Sequence, residues 1–109
     1  MKNFRILYII DGLGPGGKER RLVELLRMLQ GADFSIKLVL LTDVIHYRQV
    51  LDMDLEIIKL KRKIRKDPFI LPQLYRICRR WKPHIIHTWG SMPAVYAGPI
   101  ARILNIKFI

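Results

Sequence analysis

The chain has 109 residues, with 20 lysines and arginines against 9 acidic residues, and half of its residues are apolar. This length indicates a single domain whose core needs neither disulfides nor metal. Its one cysteine, Cys78, cannot form an internal disulfide, which excludes a disulfide-framed secreted fold. With no apolar run near the roughly 20 residues that span a bilayer and no recognisable signal peptide, we expect a cytoplasmic protein.

The first half of the chain alternates strand and helix signals. Residues 4–10 form an apolar run without alternation, which is typical of a parallel strand buried on both faces. A glycine-rich loop follows, and then an amphipathic helix that begins near Gly17 and closes near Gly31. The next predicted elements are a strand at 35–42, an uncertain helical turn at 44–51 and a short strand at 55–60.

The second half repeats the alternation. A helical stripe ends at Trp81, with Pro72 limiting how early that helix starts and Pro83 stopping it. A strand is predicted at 84–88, and Ser91 can cap a helix that runs through Leu104. Gly98 and Pro99 should kink or break that helix midway. Residues 107–109 begin another strand.

Strands that alternate with helices imply a parallel sheet with right-handed crossovers. The expected fold class is therefore α/β, a Rossmann-like doubly wound parallel sheet. Because residues 106–109 read as a strand entering the sheet with nothing after it, we expect an incomplete domain from a longer protein.

The loop after the first strand is the first candidate site. Ligands of open parallel sheets bind beyond the carboxyl ends of the strands. Here glycines allow backbone N–H groups to approach an anion, and the next helix adds its positive dipole end. The spacing matches neither a G-x-G-x-x-G fingerprint nor a P-loop, and a tight turn without ligand is the alternative. The candidate binding residues are Gly14, Gly16, Gly17, Lys18 and Arg20, with Arg21 as a further charge.

The second candidate site is the segment HIIHTWGSM at the end of the fourth strand. The His87 imidazole can accept a proton or bind a sugar hydroxyl there, although a structural histidine is the alternative. Trp89 offers a flat apolar face, and Ser91 can cap the next helix or meet substrate. His84, at the strand start, lies at the wrong end for substrate. Without a cluster of cysteines or histidines, we expect no metal site.

The order of these two segments resembles the N-terminal domain of GT-B glycosyltransferases, specifically the retaining group called family 4. In that group the first strand is followed by Gly-Gly, a small residue, Glu-Arg and an amphipathic helix; here Gly16-Gly17-Lys18-Glu19-Arg20 departs only at Lys18. The group also has a segment like PDIIHTH, and here residues 83–89 read PHIIHTW. His87 matches the first histidine of that segment, and Trp89 stands at the second.

The resemblance implies sugar transfer from a nucleotide-sugar donor to a glycan or lipid-linked acceptor, with retention and without metal or cofactor. It also implies that the N-terminal domain holds the acceptor, while its glycine-rich loop faces the donor diphosphate. By position, Gly16 and Gly17 form that loop, Lys18 and Arg20 are charge partners, and His87 is the candidate catalytic residue. The family's donor-binding C-terminal domain is absent from the 109 residues, so we expect no turnover by them alone.

The basic charge is concentrated in one segment. Residues 59–82 contain ten lysines and arginines and one acid, Asp67. The run from Lys59 to Lys66 is either a solvated linker or a patch attracted to anionic lipid. Because no nucleic-acid recognition motif accompanies it, we expect no nucleic-acid partner.

Two other classes of function remain open at this point. One is a free-standing nucleotide-binding or flavodoxin-like module, which requires the sheet to be complete by Ile109. The other is a basic protein that binds nucleic acid or membrane and uses the α/β domain as a scaffold. We also expect contact between copies through the exposed C-terminal strand, because a sheet edge needs cover.

Overall fold

The structure, a computed structural model, describes residues 4–14, 16–31, 33–42, 45, 48–53, 55–61 and 67–109. Strands and helices alternate along these residues. In chain order they are β1 (Phe4–Ile10), α1 (Gly17–Met28), β2 (Phe34–Leu40), a short 3₁₀ helix (Arg48–Asp52), β3 (Glu56–Lys59), α2 (Ile70–Trp81), β4 (Ile85–Trp89), α3 (Ser91–Leu104) and β5 (Lys107–Phe108).

The strands form one parallel sheet in the order β3-β2-β1-β4-β5. The chain runs outward from β1 to β3, returns across the sheet through α2, and then runs outward on the other side through β4 and β5. The strand order therefore reverses between β1 and β4, which are neighbours at the centre of the sheet. This confirms the Rossmann-like doubly wound prediction.

Two apolar cores cover the two faces of the sheet. One core joins α2 and α3 to alternate strand residues such as Leu7, Ile9 and Ile86. The other core joins α1 to the intervening residues, including Tyr8 and Ile10. β1 is buried from Ile6 to Ile10. Its apolar run is uninterrupted because both faces of the strand are covered, as the sequence predicted.

The entry to α2 is tied to α3 through Asp67, which is buried. The backbone N–H of Asp67 donates to the Tyr96 hydroxyl at 2.7 Å, and the Asp67 carboxylate accepts from the Phe69 N–H at 3.0 Å. The only acid of the basic segment 59–82 therefore helps to start a helix.

Prolines affect the helices less than expected. Of the kink or break predicted at Gly98 and Pro99, the break is wrong, because α3 continues from Ser91 through Leu104 with Pro99 inside it. Pro99 has no N–H to donate to the carbonyl of Val95, so the helix lacks one backbone hydrogen bond at this point. Pro72 lies in the first turn of α2, where backbone N–H groups have no intrahelical partner.

Other element boundaries shift as well, by one or two residues in β2 and by up to four in the helical turn that follows it. The helical turn predicted at 44–51 is a 3₁₀ helix at Arg48–Asp52, and Val44 and His46 lie outside the described residues. Of the basic run Lys59 to Lys66, residues 62–66 lie outside them as well. None of the helices in the described part of the chain is long and apolar enough to cross a membrane.

Candidate functional site

The two candidate segments meet at the centre of the sheet. Ile10, the last residue of β1, pairs in register with Trp89, the last residue of β4. The glycine-rich loop and the turn at Gly90 therefore leave the sheet side by side at the point where the strand order reverses. Open α/β sheets bind their ligands in this position.

The glycine-rich loop is held by Thr42, two residues beyond the end of β2, and ends in the first turn of α1. The Asp11 carbonyl accepts hydrogen bonds from the Thr42 backbone N–H at 2.7 Å and from the Thr42 hydroxyl at 2.9 Å. Gly16 caps α1 without a side-chain acceptor, and a Cβ at Gly16 would collide with the Glu19 carboxylate. Open space surrounds the Cβ positions of Gly14 and Gly17, so the backbone is accessible there.

Lys18 reaches from α1 to the end of β4. Its ammonium nitrogen lies 2.9 Å from the position that a Cβ would take on Gly90. Gly90 is the N-cap of α3 and, like Gly16, supplies no side-chain acceptor to the helix. A full positive charge therefore stands beside the positive end of a second helix dipole, and this arrangement favours an anion.

Three aromatic rings form a row on the α1 side of the sheet. The His87 ring centroid lies 5.2 Å from that of Tyr8, its register partner on β1, and 5.2 Å from that of Trp89. Burial lowers the pKa of His87, so the imidazole is neutral in the physiological range and can accept a proton. Burial also raises the pKa of Tyr8, which stays protonated.

The indole N–H of Trp89 is a further polar group of this row. It is buried and has no hydrogen-bond acceptor among the described residues. A buried donor without a partner costs about 1–3 kcal/mol. The indole ring itself is only partly buried and packs against the core that α1 covers.

Arg20 and Ser91 are placed differently from the other candidates. Arg20 lines an open groove of about 450 Å³ along the outer side of α1, together with Gly17 and Met28. The prediction that Ser91 caps α3 is wrong, because Ser91 is already the first helical residue and Gly90 is the cap. Ser91 is exposed at the start of α3, where it can still meet a ligand.

His84 lies at the opposite end of β4, as expected. Its Nδ1 accepts a hydrogen bond from the Arg5 backbone N–H at 2.9 Å, and its ring stacks on Phe4 at 4.8 Å. These contacts tie β4 to the amino end of β1 and give His84 a structural role.

Sequence reasoning missed Tyr8, Asp11 and the importance of Gly90. Only the strand register identifies Tyr8, because it is one of several buried residues of an apolar run. Asp11 contributes through its backbone carbonyl, and no side-chain pattern reveals that contact. In the described part of the chain, no group of three or more His, Cys, Asp or Glu residues is arranged to hold a metal ion.

The family whose sequence model matches the chain is Glycosyltransferase Family 4, over residues 15–109. The chain belongs to this family. The match includes both the Gly16-Gly17 pair and the segment around His87, so the predicted resemblance is confirmed.

Solved structures share the fold of this family 4 domain. It superposes on MurG from Acinetobacter baumannii with a TM-score of 0.72 and 19% identity, covering 97% of this chain and 34% of that one. It also superposes on Alr3699/HepE from Anabaena, solved in complex with UDP, with a TM-score of 0.69 and 13% identity, covering 96% and 28% of the two chains. The domain thus spans about a third of either structure. No curated protein matches its sequence.

Proposed function

We propose that this family 4 domain is the acceptor-side, N-terminal part of a retaining glycosyltransferase. The enzyme would transfer a sugar from a nucleotide-sugar donor to a glycan or lipid-linked acceptor. The single observation that carries the proposal is the convergence of Lys18, the Gly16-Gly17 loop and His87 where the strand order reverses. The family match and the UDP bound in the HepE structure support a nucleotide-sugar donor.

Each group at the site has a chemical role in this proposal. His87, neutral because burial lowers its pKa, accepts a hydrogen bond or the proton of the acceptor hydroxyl. Trp89 contacts the apolar face of a sugar ring. The backbone N–H groups of Gly16 and Gly17 and the Lys18 ammonium face the donor diphosphate. No residue in this account requires a metal or a cofactor.

The 109 residues supply one side of this site, so we propose that they do not turn over alone. The matched structures are about three times as long as this chain, which agrees with a second domain that binds the donor. Sugar transfer by the purified 109-residue chain would contradict this part of the proposal.

A titration with UDP tests the diphosphate site directly. We expect UDP to shift the backbone amide NMR signals of Gly16, Gly17 and Ser91, whereas uridine, which lacks the phosphates, leaves them unchanged. Lys18→Met should weaken this response, and Arg102→Met, which removes an exposed charge from the last turn of α3, should not. Equal responses to UDP and uridine would argue against phosphate recognition at this site.

A second proposal concerns where the protein works. We infer that it docks peripherally on an anionic membrane surface at the cytoplasmic face, through the run Lys59 to Lys66 and the outer side of α2. That side of α2 carries an open groove of about 480 Å³ lined by Arg76, Arg79 and Arg80. At the start of α2, Phe69 is 71% exposed and can enter the interface. Lysines and arginines near an anionic surface gain about 1 kcal/mol each.

Vesicle sedimentation tests the membrane proposal. Binding should be stronger to phosphatidylglycerol-containing vesicles than to phosphatidylcholine alone. The triple change Arg76→Gln, Arg79→Gln and Arg80→Gln should reduce binding to the anionic vesicles. A matched control removes the same charge elsewhere, by Arg21→Gln, Arg27→Gln and Arg102→Gln. Equal binding to both vesicles, or a salt-dependent shift with oligonucleotides instead, would reject the membrane proposal.

A further inference from the structure

Gly90 is the one described glycine that combines a positive φ with a side-chain atom less than 3 Å from its Cβ position. Its backbone has φ 119° and ψ 168°, outside the left-handed helical region that Lys82 and Asn105 adopt with φ near 55°. That outer region is essentially restricted to glycine. In addition, the space where a Cβ would stand is occupied by the Lys18 ammonium, 2.9 Å away.

We propose that Gly90 is a positioning residue for the Lys18 ammonium: its missing side chain creates the space in which that charge stands beside the first turn of α3. The inference deepens the proposed function, because it rests on Lys18 facing the donor diphosphate. Gly90 has no functional group of its own, yet it determines where the Lys18 charge stands.

The geometry indicates what a side chain at position 90 would do. Nζ is the end of a long flexible chain, so a methyl group at position 90 would turn the ammonium away without disturbing the core. The backbone strain of alanine at φ 119° would lower the stability of the fold by the same amount whatever residue occupies position 18. The two consequences of Gly90→Ala can therefore be separated: lost stability comes from strain, and lost anion affinity comes from displacement of Lys18.

The chain contains a suitable control. Gly31 also has a positive φ, 82°, but no atom lies within 4 Å of its Cβ position. Gly31 follows the C-terminal end of α1, far from the start of that helix where Lys18 lies. Gly31→Ala therefore introduces backbone strain without displacing a charged group.

The experiment is a double-mutant cycle on UDP affinity, followed by amide NMR shifts of the 109-residue chain. Lys18→Met should weaken UDP binding about ten- to a hundredfold, the size of one charge-assisted hydrogen bond. Gly90→Ala should weaken it by a similar factor, and the double variant should be no weaker than Lys18→Met alone. The stability cost of Gly90→Ala, measured by urea unfolding, should be the same in both backgrounds. Gly31→Ala should lose stability and keep its affinity.

Other outcomes overturn the proposal. If the two affinity losses multiply in the double variant, or Gly90→Ala binds UDP normally, Gly90 does not act through Lys18. If the unsubstituted chain does not bind UDP, the proposed phosphate recognition fails, and the positioning claim is then decided by an NMR distance. An NOE between the Lys18 ε-methylene and the Gly90 α-protons supports it, and its absence overturns it. The same NOE decides the question if Gly90→Ala does not fold.

Discussion

His87 lies beside Tyr8 in the sheet, paired in register across β4 and β1, with ring centroids 5.2 Å apart. The partly buried His87 imidazole thus lies against a ring that stays neutral. The burial disfavours the charged form of the imidazole and so links protonation of His87 to the stability of the fold.

Replacement of His87 by glutamine should change how stability depends on pH. Because the pKa of His87 is lowered in the folded state, the unfolded chain binds a proton more readily. The contribution of neutral His87 is therefore fully present above the unfolded pKa of about 6.5, and it is lost as the pH falls through the lowered folded pKa. In urea unfolding, the stability advantage of the natural chain over His87→Gln should be larger at pH 7.5 than at pH 5. A difference that does not vary with pH would contradict this linkage.

Tyr96→Phe should destabilise the chain by about 1–3 kcal/mol. The substitution keeps the ring in the core and removes the hydroxyl that accepts from the Asp67 N–H at 2.7 Å, leaving a buried donor without that partner. Urea unfolding measures the change. Tyr75→Phe is the matched control, because Tyr75 is only partly buried on α2, and it should change stability by less than about 0.5 kcal/mol. Equal effects of the two substitutions would show that the Asp67 contact contributes little.

The Cys78 thiol should be unreactive while the chain is folded. It lies in the core between the sheet and α2, and burial raises its pKa to about 12, so little thiolate forms at neutral pH. Reaction with a disulfide reagent at pH 8 should be slow in buffer and fast in guanidinium chloride. A fast reaction in buffer would mean that α2 opens locally without global unfolding.

The exposed edge of the sheet should support self-association. Both residues of β5 are exposed, and Ile109 beyond them is 55% exposed. Open strand edges with apolar side chains pair with other strands. We predict that a second copy of the chain covers this edge, so that sedimentation detects dimers as concentration rises. Ile109→Lys should weaken the dimer, whereas Met28→Lys, on the exposed side of α1, should not. A monomer at all concentrations would contradict this prediction.

The fold could be predicted from the sequence because its signals are local and agree with one another. The apolar run of β1 and the leucine stripe of α1 each specify one element, and their alternation implies a parallel sheet. The prediction failed at Pro99, where a local rule did not hold. α3 continues through Pro99 although proline removes one backbone donor from the helix interior.

The site was only partly predictable for a different reason. Gly16, Gly17 and His87 belong to motifs that can be recognised along the chain. The contact of Lys18 with Gly90 joins residues more than seventy positions apart and depends on the neighbouring positions of β1 and β4. No periodicity in the sequence encodes such a distance. The row formed by Tyr8, His87 and Trp89 likewise exists only once the strand register is known.

The central pairing of β1 with β4 also determines when the site can form. Arg5 and His84, which are hydrogen-bonded at the start of this pairing, are 79 residues apart. The segment between them must therefore fold or form a long loop before the two strands meet. Closing so long a loop is entropically costly and slows folding. During synthesis, the glycine-rich loop leaves the ribosome long before β4. The two segments of the candidate site therefore cannot meet until most of the chain has emerged. Formation of the candidate site therefore depends on the central pairing of β1 with β4, and the glycine-rich loop alone does not supply it.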